Sequence, residues 1–283
     1  MASFTNFATL SYNGGTTNSN IVTGEILEAL TAVKTAVSAN YSAGDRITYA
    51  LSLVNTGTAA ITDYTVTDNL GGYTVGANTV YPLAYNAGTV RYYINGVLQT
   101  APTVTAGPPL TVTGLTVPAG GSAVLIYETT ATPVAPLATG SSITNTATIT
   151  GGGLTSPITA QATVETANSA DLTISKALSP TTVTENGRIT YTFVISNTGN
   201  TEATATGNVV VTDTFAPILR SIAVTYNGTA WTEGTNYTYN AATGVFTTLA
   251  GQITVPAASF SQNTDGTFTV TPGTATLVIT GTV

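Results

Sequence analysis

The chain has 283 residues and a net charge of −7, and charged side chains make up only 7% of it. Six Lys and Arg provide no basic surface for nucleic acid. The absence of Cys and His excludes disulfides, thiol nucleophiles, Cys-based zinc sites and the usual general base. We therefore expect no enzyme, no cofactor and no metal site, in a chain long enough for two domains.

The start of the chain, Met1–Asn6, has neither a charged region nor a long apolar core. No secretory signal peptide is predicted, and no apolar run is long enough to span a membrane. Two explanations remain open. Either a leader has been removed, or the protein is made inside a cell and does not use the general secretory route.

Strand signals dominate the chain from its first residues. Runs rich in Val, Ile, Thr and Tyr alternate with polar residues and end at Gly, Asn or Pro. The pairs Asn13-Gly14, Asn95-Gly96 and Asn227-Gly228 are strong hairpin-turn signals. This pattern predicts an all-β fold of two tandem β-sandwich domains, Ig-like or pilin-like, with an N-terminal donor strand.

An internal repeat defines the domains. The matching segments of the two copies are Lys34 with Lys176, Arg46–Tyr49 with Arg188–Tyr191, Asn55–Gly57 with Asn197–Gly199, Val66–Asp68 with Val211–Asp213, Thr116–Ala119 with Thr254–Ala257, and Ser122–Ala131 with Thr274–Val283. We predict an N-terminal arm over residues 1–20, a complete sandwich over 21–166, and a sandwich over 167–283 that lacks its last strand.

A look-alike of the missing strand lies at the other end of the chain. The first copy continues into Ser142–Thr150, and five of these nine positions are identical in Ser3–Ser11. An incomplete sandwich exposes core side chains and an unpaired sheet edge, which an extended segment can complete. A strand supplied by the next molecule makes a head-to-tail contact, and such contacts build filaments when they do not close.

The hypothesis is therefore that residues 3–12 of one subunit complete the second domain of its neighbour. The inward donor residues would be Phe4, Asn6, Ala8 and Leu10. The alternative is intramolecular. Residues 3–12 would then reach the second domain of the same chain, or add a strand to the first.

The only two lysines of the chain, Lys34 and Lys176, occupy equivalent repeat positions. Strand alternation places each on an apolar face, with Asp68 or Asp213 inward on a middle strand and Asn145 or Asn6 inward on the last strand. In an apolar site a neutral lysine amine is a nucleophile, and a protonated carboxyl can polarise the Asn amide. The sequence predicts Lys34–Asn145 and intermolecular Lys176–Asn6 isopeptide bonds, assisted by Asp68 and Asp213.

A simpler interpretation of the same residues stays open. Each lysine could form an ion pair with its Asp, and Asn145 and Asn6 could satisfy backbone groups. The bond would form once per molecule, so it would not make the protein an enzyme.

These motifs resemble a bacterial and archaeal surface repeat, domain-of-unknown-function family eleven, over residues 27–283. The resemblance is carried by Leu172–Lys176, Tyr191, Asn197–Gly199, Val211–Asp213 and Ile143–Thr148. It implies a module of a long cell-surface protein. Two-repeat proteins of this kind are similar to the major ribbon proteins of clostridial spore appendages, which are laid down from the mother cell.

The expected function is a self-assembling subunit of an extracellular filament or spore appendage. Its partners would be copies of itself, together with minor anchoring or tip proteins, and neither nucleic acid nor membrane. The alternative function is an adhesin or spacer module that binds sugar or host protein, and a fragment of a larger adhesin would have the same sequence features.

Overall fold

The computed structural model describes residues 2–26 and 29–283, and these residues form an all-β protein. The one helical element among them is a 3₁₀ turn, Ala205–Gly207, and none of their helices could cross a membrane. Every strand pairing given for them is antiparallel, apart from an isolated bridge between Glu233 and Tyr237. The predicted all-β sandwich class is confirmed.

The chain begins with a long hairpin, called the ribbon below. Its outgoing arm consists of β1 (Ala2–Asn6) and β2 (Thr9–Tyr12), and its returning arm consists of β3 (Gly15–Asn18) and β4 (Val22–Ile26). β1 pairs with β4, and β2 pairs with β3 across the Asn13-Gly14 turn. Both turn residues have positive φ, as a two-residue hairpin turn requires. The ribbon joins neither sheet of the unit that follows, and residues 4–23 are all exposed.

Contact clustering divides the chain into two compact units. The first comprises Met1–Ala135 and Ser142–Glu165, and the second comprises Pro136–Ser141 and Thr166–Val283. After the ribbon, the strands of the first unit are β5 (Leu30–Ala36), β6 (Asn40–Tyr41), β7 (Arg46–Asn55), β8 (Ile61–Asp68), β9 (Tyr73–Val75), β10 (Asn78–Val80), β11 (Leu83–Tyr85), β12 (Arg91–Ile94), β13 (Val97–Leu98), β14 (Thr103–Thr105), β15 (Leu110–Val117), β16 (Ser122–Ala131), β17 (Ser142–Gly151) and β18 (Ile158–Thr166).

Two six-stranded sheets form the sandwich of the first unit. The β7 sheet has the order β13-β12-β16-β7-β5, with β11 also beside β16. The β8 sheet has the order β14-β15-β8-β17-β18-β6. Strand residues alternate between buried and exposed positions, so each sheet turns one apolar face to the core.

The strands of the second unit are β19 (Leu172–Ser179), β20 (Arg188–Asn197), β21 (Thr212–Thr214), β22 (Arg220–Tyr226), β23 (Thr229–Trp231), β24 (Tyr237–Asn240), β25 (Val245–Thr248), β26 (Ser259–Gln262), β27 (Phe268–Thr271) and β28 (Gly273–Thr282). Its β20 sheet, β19-β20-β28-β22-β23, repeats the order of the β7 sheet. Its β21 sheet has only three strands, β21-β25-β24, and β21 lies at its edge.

The Asn-Thr-Gly motifs fix the same corner in both units. The side chains of Asn55 and Asn197 are fully buried, and each amide donates to the backbone carbonyl four residues ahead and to the carbonyl of a proline, Pro118 or Pro256. Each side-chain oxygen accepts the backbone N–H of the motif's glycine. The sequence repeat is therefore also a repeat of buried polar contacts.

Candidate functional site: a closed Lys–Asp cluster and its open repeat

A buried polar cluster joins the two sheets of the first unit. Lys34 lies on β5, at the edge of the β7 sheet, and Asp68 ends β8 in the opposite sheet. Asp68 pairs in register with Ala147 of β17, and Asn145 lies two residues away on the same inward face. The predicted lysine, acid and amide therefore lie on three strands, β5, β8 and β17, and all three point into the same core.

Lys34 and Asp68 are in direct contact. The Nζ atom lies 2.5 Å from Asp68 Oδ2, and both side chains are almost fully buried. Oδ2 also accepts the hydroxyl of Tyr127, while Oδ1 accepts the backbone N–H of Leu70 at 2.9 Å. Each oxygen of the carboxyl is therefore held by the protein, and the carboxyl is fixed beside the amine.

Asn145 is fully buried, and neither Oδ1 nor Nδ2 has a hydrogen-bond partner. Its amide lies beside the hydroxyls of Tyr49 and Tyr127, where it partly offsets the rise in pKa that burial causes at both tyrosines. An unpartnered buried polar group costs about 1–3 kcal/mol, and native cores contain few of them. The interpretation that Asn145 satisfies backbone groups is therefore not supported by its contacts.

Two stacked tyrosines enclose the lysine. The Nζ of Lys34 lies 4.8 Å from the ring centroid of Tyr49 and 5.8 Å from that of Tyr127. Burial outweighs the attraction of Asp68 and lowers the pKa of Lys34 to about 8. Burial also raises the pKa of both tyrosines, so their hydroxyls stay protonated. The cluster therefore holds an amine of lowered pKa beside a carboxyl group and an amide.

The lowered pKa of Lys34 predicts a pH dependence of stability. In an Asn145→Ala variant, where Lys34 stays a free amine, the folded chain releases this proton near pH 8 and the unfolded chain near pH 10.5. Between these values the unfolded state binds more protons, so the free energy of unfolding should rise with pH. Urea unfolding should show an increase of about 1 kcal/mol from roughly pH 7 to 9. The double variant with Lys34→Met should lack this increase, and an equal rise in both would contradict the assignment.

The second unit holds the same pair in an open setting. Lys176 Nζ lies 2.5 Å from Asp213 Oδ2, and 4.5 Å from the ring centroid of Tyr191, the counterpart of Tyr49. The Lys176 side chain is 41% exposed, whereas that of Lys34 is 0% exposed. In the first unit, β17 lies between β8 and β18 and covers the cluster. No strand of the described residues takes that place beside β21.

The predicted donor residues lie in the exposed ribbon. Residues 3–12, predicted to form one donor strand, form two strands. β1 ends at Asn6 and β2 begins at Thr9, and Phe7 and Ala8 lie between them. Phe4, Asn6 and Leu10 are exposed, and the ring of Phe4 lies against Gly24 of β4. The strands of the ribbon pair only with one another, so the ribbon adds no strand to either sheet of the first sandwich.

Sequence reasoning did not identify Tyr127 or Tyr49 as members of the cluster. A signal for Tyr49 was present, since Arg-Ile-Thr-Tyr recurs at Arg188–Tyr191. Tyr127 has no aromatic counterpart in the repeat, because Ile279 takes its place. Its contact with Asp68 depends on sheet packing, which no local pattern shows.

Comparison with solved structures finds likenesses among bacterial surface proteins. The major pilin subunit BcpA of Bacillus cereus is 14% identical over 96% of this chain and 73% of its own, with a TM-score of 0.35. The pilus backbone RrgB of Streptococcus pneumoniae is 14% identical over 86% of this chain and 55% of its own, with a TM-score of 0.36. The N-terminal domain of the Streptococcus gordonii adhesin Sgo0707 is 16% identical over 47% of this chain and 31% of its own, with a TM-score of 0.35.

The chain thus spans about a third of the matched adhesin chain and just over half of RrgB. No protein-family model matches the chain, and no curated protein matches it. The resemblance to the surface repeat therefore still depends on its motifs alone. At these identities and TM-scores the likeness assigns neither a family nor an activity to this chain.

Proposed function

We propose that this chain is a self-assembling structural subunit of an extracellular filament. The N-terminal strand of one molecule completes the second unit of the next, head to tail, and isopeptide bonds lock the sandwiches. The resemblance to spore-appendage proteins makes the surface of an endospore a location to examine. The other partners would be minor anchoring or tip proteins.

One observation carries the proposal. The second unit repeats the Lys–Asp pair of the first but leaves it open at the edge of β21, while the ribbon presents Asn6 on an exposed, unpartnered face. An open edge and an extended segment of matching sequence are the two halves of a strand-addition contact. Because they lie in different parts of the chain, joining copies end to end generates a filament.

The chemistry of the lock follows from the closed cluster. The proton of the Lys34 ammonium passes to Asp68 along their 2.5 Å contact, which leaves a neutral amine and a carboxylic acid. The amine attacks Cγ of Asn145, polarised by the acid, a new C–N bond forms and the Cγ–Nδ2 bond breaks. The amide nitrogen leaves with its own two hydrogens, one proton from the lysine amine and the acid proton, as an ammonium ion, and Asp68 returns to its carboxylate form. Lys176, Asp213 and an incoming Asn6 would react in the same way.

A boiled detergent gel and electron microscopy test the proposal on the full chain and on a chain lacking residues 1–13. We expect fibres and a covalent ladder from the full chain, and neither from the truncated chain. Fibres that dissociate to monomer on boiling in detergent would support strand donation and refute the intermolecular bond. Monomers from both chains would overturn the filament, and would instead favour a monomeric binding module.

A further inference from the structure

The ribbon repeats more than the last strand of the first sandwich. In the first unit, β17 and β18 form a hairpin in which Ser142 pairs with Glu165 and Asn145 with Ala162. In the ribbon, Ser3 pairs with Glu25 and Asn6 with Val22. In both hairpins, therefore, a glutamate lies opposite the serine, and a small or branched apolar residue lies opposite the asparagine three positions later.

The two hairpins also share the division into an apolar and a polar face. In β17–β18 the inward residues Ile143, Asn145, Ala147, Ala162 and Val164 are buried, and the residues that alternate with them face outward. In the ribbon the corresponding face carries Phe4, Asn6, Val22 and Gly24, as cross-strand pairs. Phe4 lies over Gly24, where an added Cβ would come within 2.4 Å of the ring, so the pair fills the space of a larger residue on β4. Phe4, Asn6 and Val22 are exposed, and Gly24 is half-buried.

The second unit lacks partners for two strands, not for one. In the first unit β18 pairs with β6, and the N–H of Glu165 donates to the carbonyl of Ala39. Counting from the two lysines, Asn40 and Tyr41 correspond to Thr182 and Val183. Tyr41 is 0% exposed and in a strand, whereas Val183 is 37% exposed and outside any strand.

An open groove of about 630 Å³ lies at this edge of the second unit. It is lined by apolar groups that include Leu178, Val183, Ile189 and Tyr191. A single strand placed beside β21 would still leave residues 182–183 without a partner. A two-stranded hairpin would pair with β21 on one side and with this segment on the other, as β17–β18 does between β8 and β6.

We propose that the donor is the whole ribbon, β1 to β4, which enters the second unit of another copy of this chain and takes the place of a β17–β18 hairpin. This inference rests on the proposed function. It adds β4 to the interface, beside residues 182–183, and assigns Val22 to the core of the completed sandwich. Only residues 167–171 separate β18 from β19, and residues 27–29 separate β4 from β5. Each sandwich is then completed by the hairpin that leads into the following repeat.

Paired substitutions on β4 test the inference in the full chain. Val22→Asp places a charge on the inward face, and Thr23→Asp places the same charge on the outward face of the same strand. Val22→Asp should abolish fibres and ladder, and Thr23→Asp should leave both within about twofold of wild type, since a buried unpaired charge is far costlier than an exposed one. Phe4→Asp, on the inward face of β1, should also abolish them.

The outcomes separate this inference from the function beneath it. If Phe4→Asp blocks assembly while Val22→Asp assembles like Thr23→Asp, a single strand is donated and the hairpin inference fails. If wild-type protein does not assemble, the proposed function itself fails.

A crosslink gives a second readout, because the chain contains no cysteine. Glu25→Cys and Thr181→Cys stand at the positions of Glu165 and Ala39, whose backbones are hydrogen-bonded in the first unit. Mixed under oxidation, the two single-cysteine chains should give a disulfide-linked peptide that joins residues 25 and 181 in digests of the assembled protein. Its absence beside an intact Lys176–Asn6 bond would refute the docking of β4.

Discussion

Mixing an Asn6→Ala chain with a Lys176→Ala chain should give one covalent dimer that survives boiling in detergent. The Asn6→Ala chain keeps a reactive lysine but donates no amide, and the Lys176→Ala chain donates its amide but has no amine in its own second unit. Each variant alone should run as a monomer, while wild type gives a ladder. The mixture stops at two chains because only one lysine and one asparagine can meet.

Both substitutions fall at exposed side chains, so neither should unfold its unit. The bond should appear in digests as a peptide joining residue 6 to residue 176, with the loss of one ammonia. A dimer from either variant alone would place the bond elsewhere. Fibres of the mixture that boil down to monomer would show docking without the Lys176–Asn6 bond.

The Lys34–Asp68 pair of the first unit was predictable from sequence because the lysine and the Val-Thr-Asp segment both recur in the second repeat. Two lysines in the whole chain, each preceding a repeated Val-Thr-Asp, and strand alternation were enough to point Lys34 and Asp68 into one core. The Asn-Gly turns were equally local, since their positive φ values need only the two residues concerned.

The ribbon was predictable only in part. The look-alike of β17 was visible because five positions are identical, but β3 and β4 share little sequence with β18. β4 and β18 share the register in which they pair with β1 and β17. Register is set by the hairpin turn and by the cross-strand pairs, so it is seen only once the strands are paired. The exposure of Lys176, by contrast, agrees with the prediction that the second sandwich lacks its last strand.

Replacing Asn145 by Ala should remove the internal bond of the first unit and lower its free energy of unfolding by about 4–5 kcal/mol. That magnitude is the loop-closure entropy of a crosslink across roughly a hundred residues, here from Lys34 to Asn145. The wild-type mass should be one ammonia below the mass expected from the sequence for each internal bond, and the variant should lack that deficit. If no bond forms, the substitution should be nearly neutral, because it removes an unpartnered buried amide at the cost of a small cavity.

Two internal controls make this measurement decisive. Thr144→Ala, on the exposed face of the same strand, should cost well under 1 kcal/mol and leave the mass deficit intact. Trp231 is the only tryptophan and lies in the second unit, so its fluorescence transition in urea should not move, while the circular dichroism transition of the first unit should. A full-mass wild type, with stability unchanged in Asn145→Ala, would reduce Lys34 and Asp68 to a buried ion pair. An ion pair alone would leave both amide atoms of Asn145 buried without a hydrogen-bond partner, whereas the isopeptide bond uses the amide.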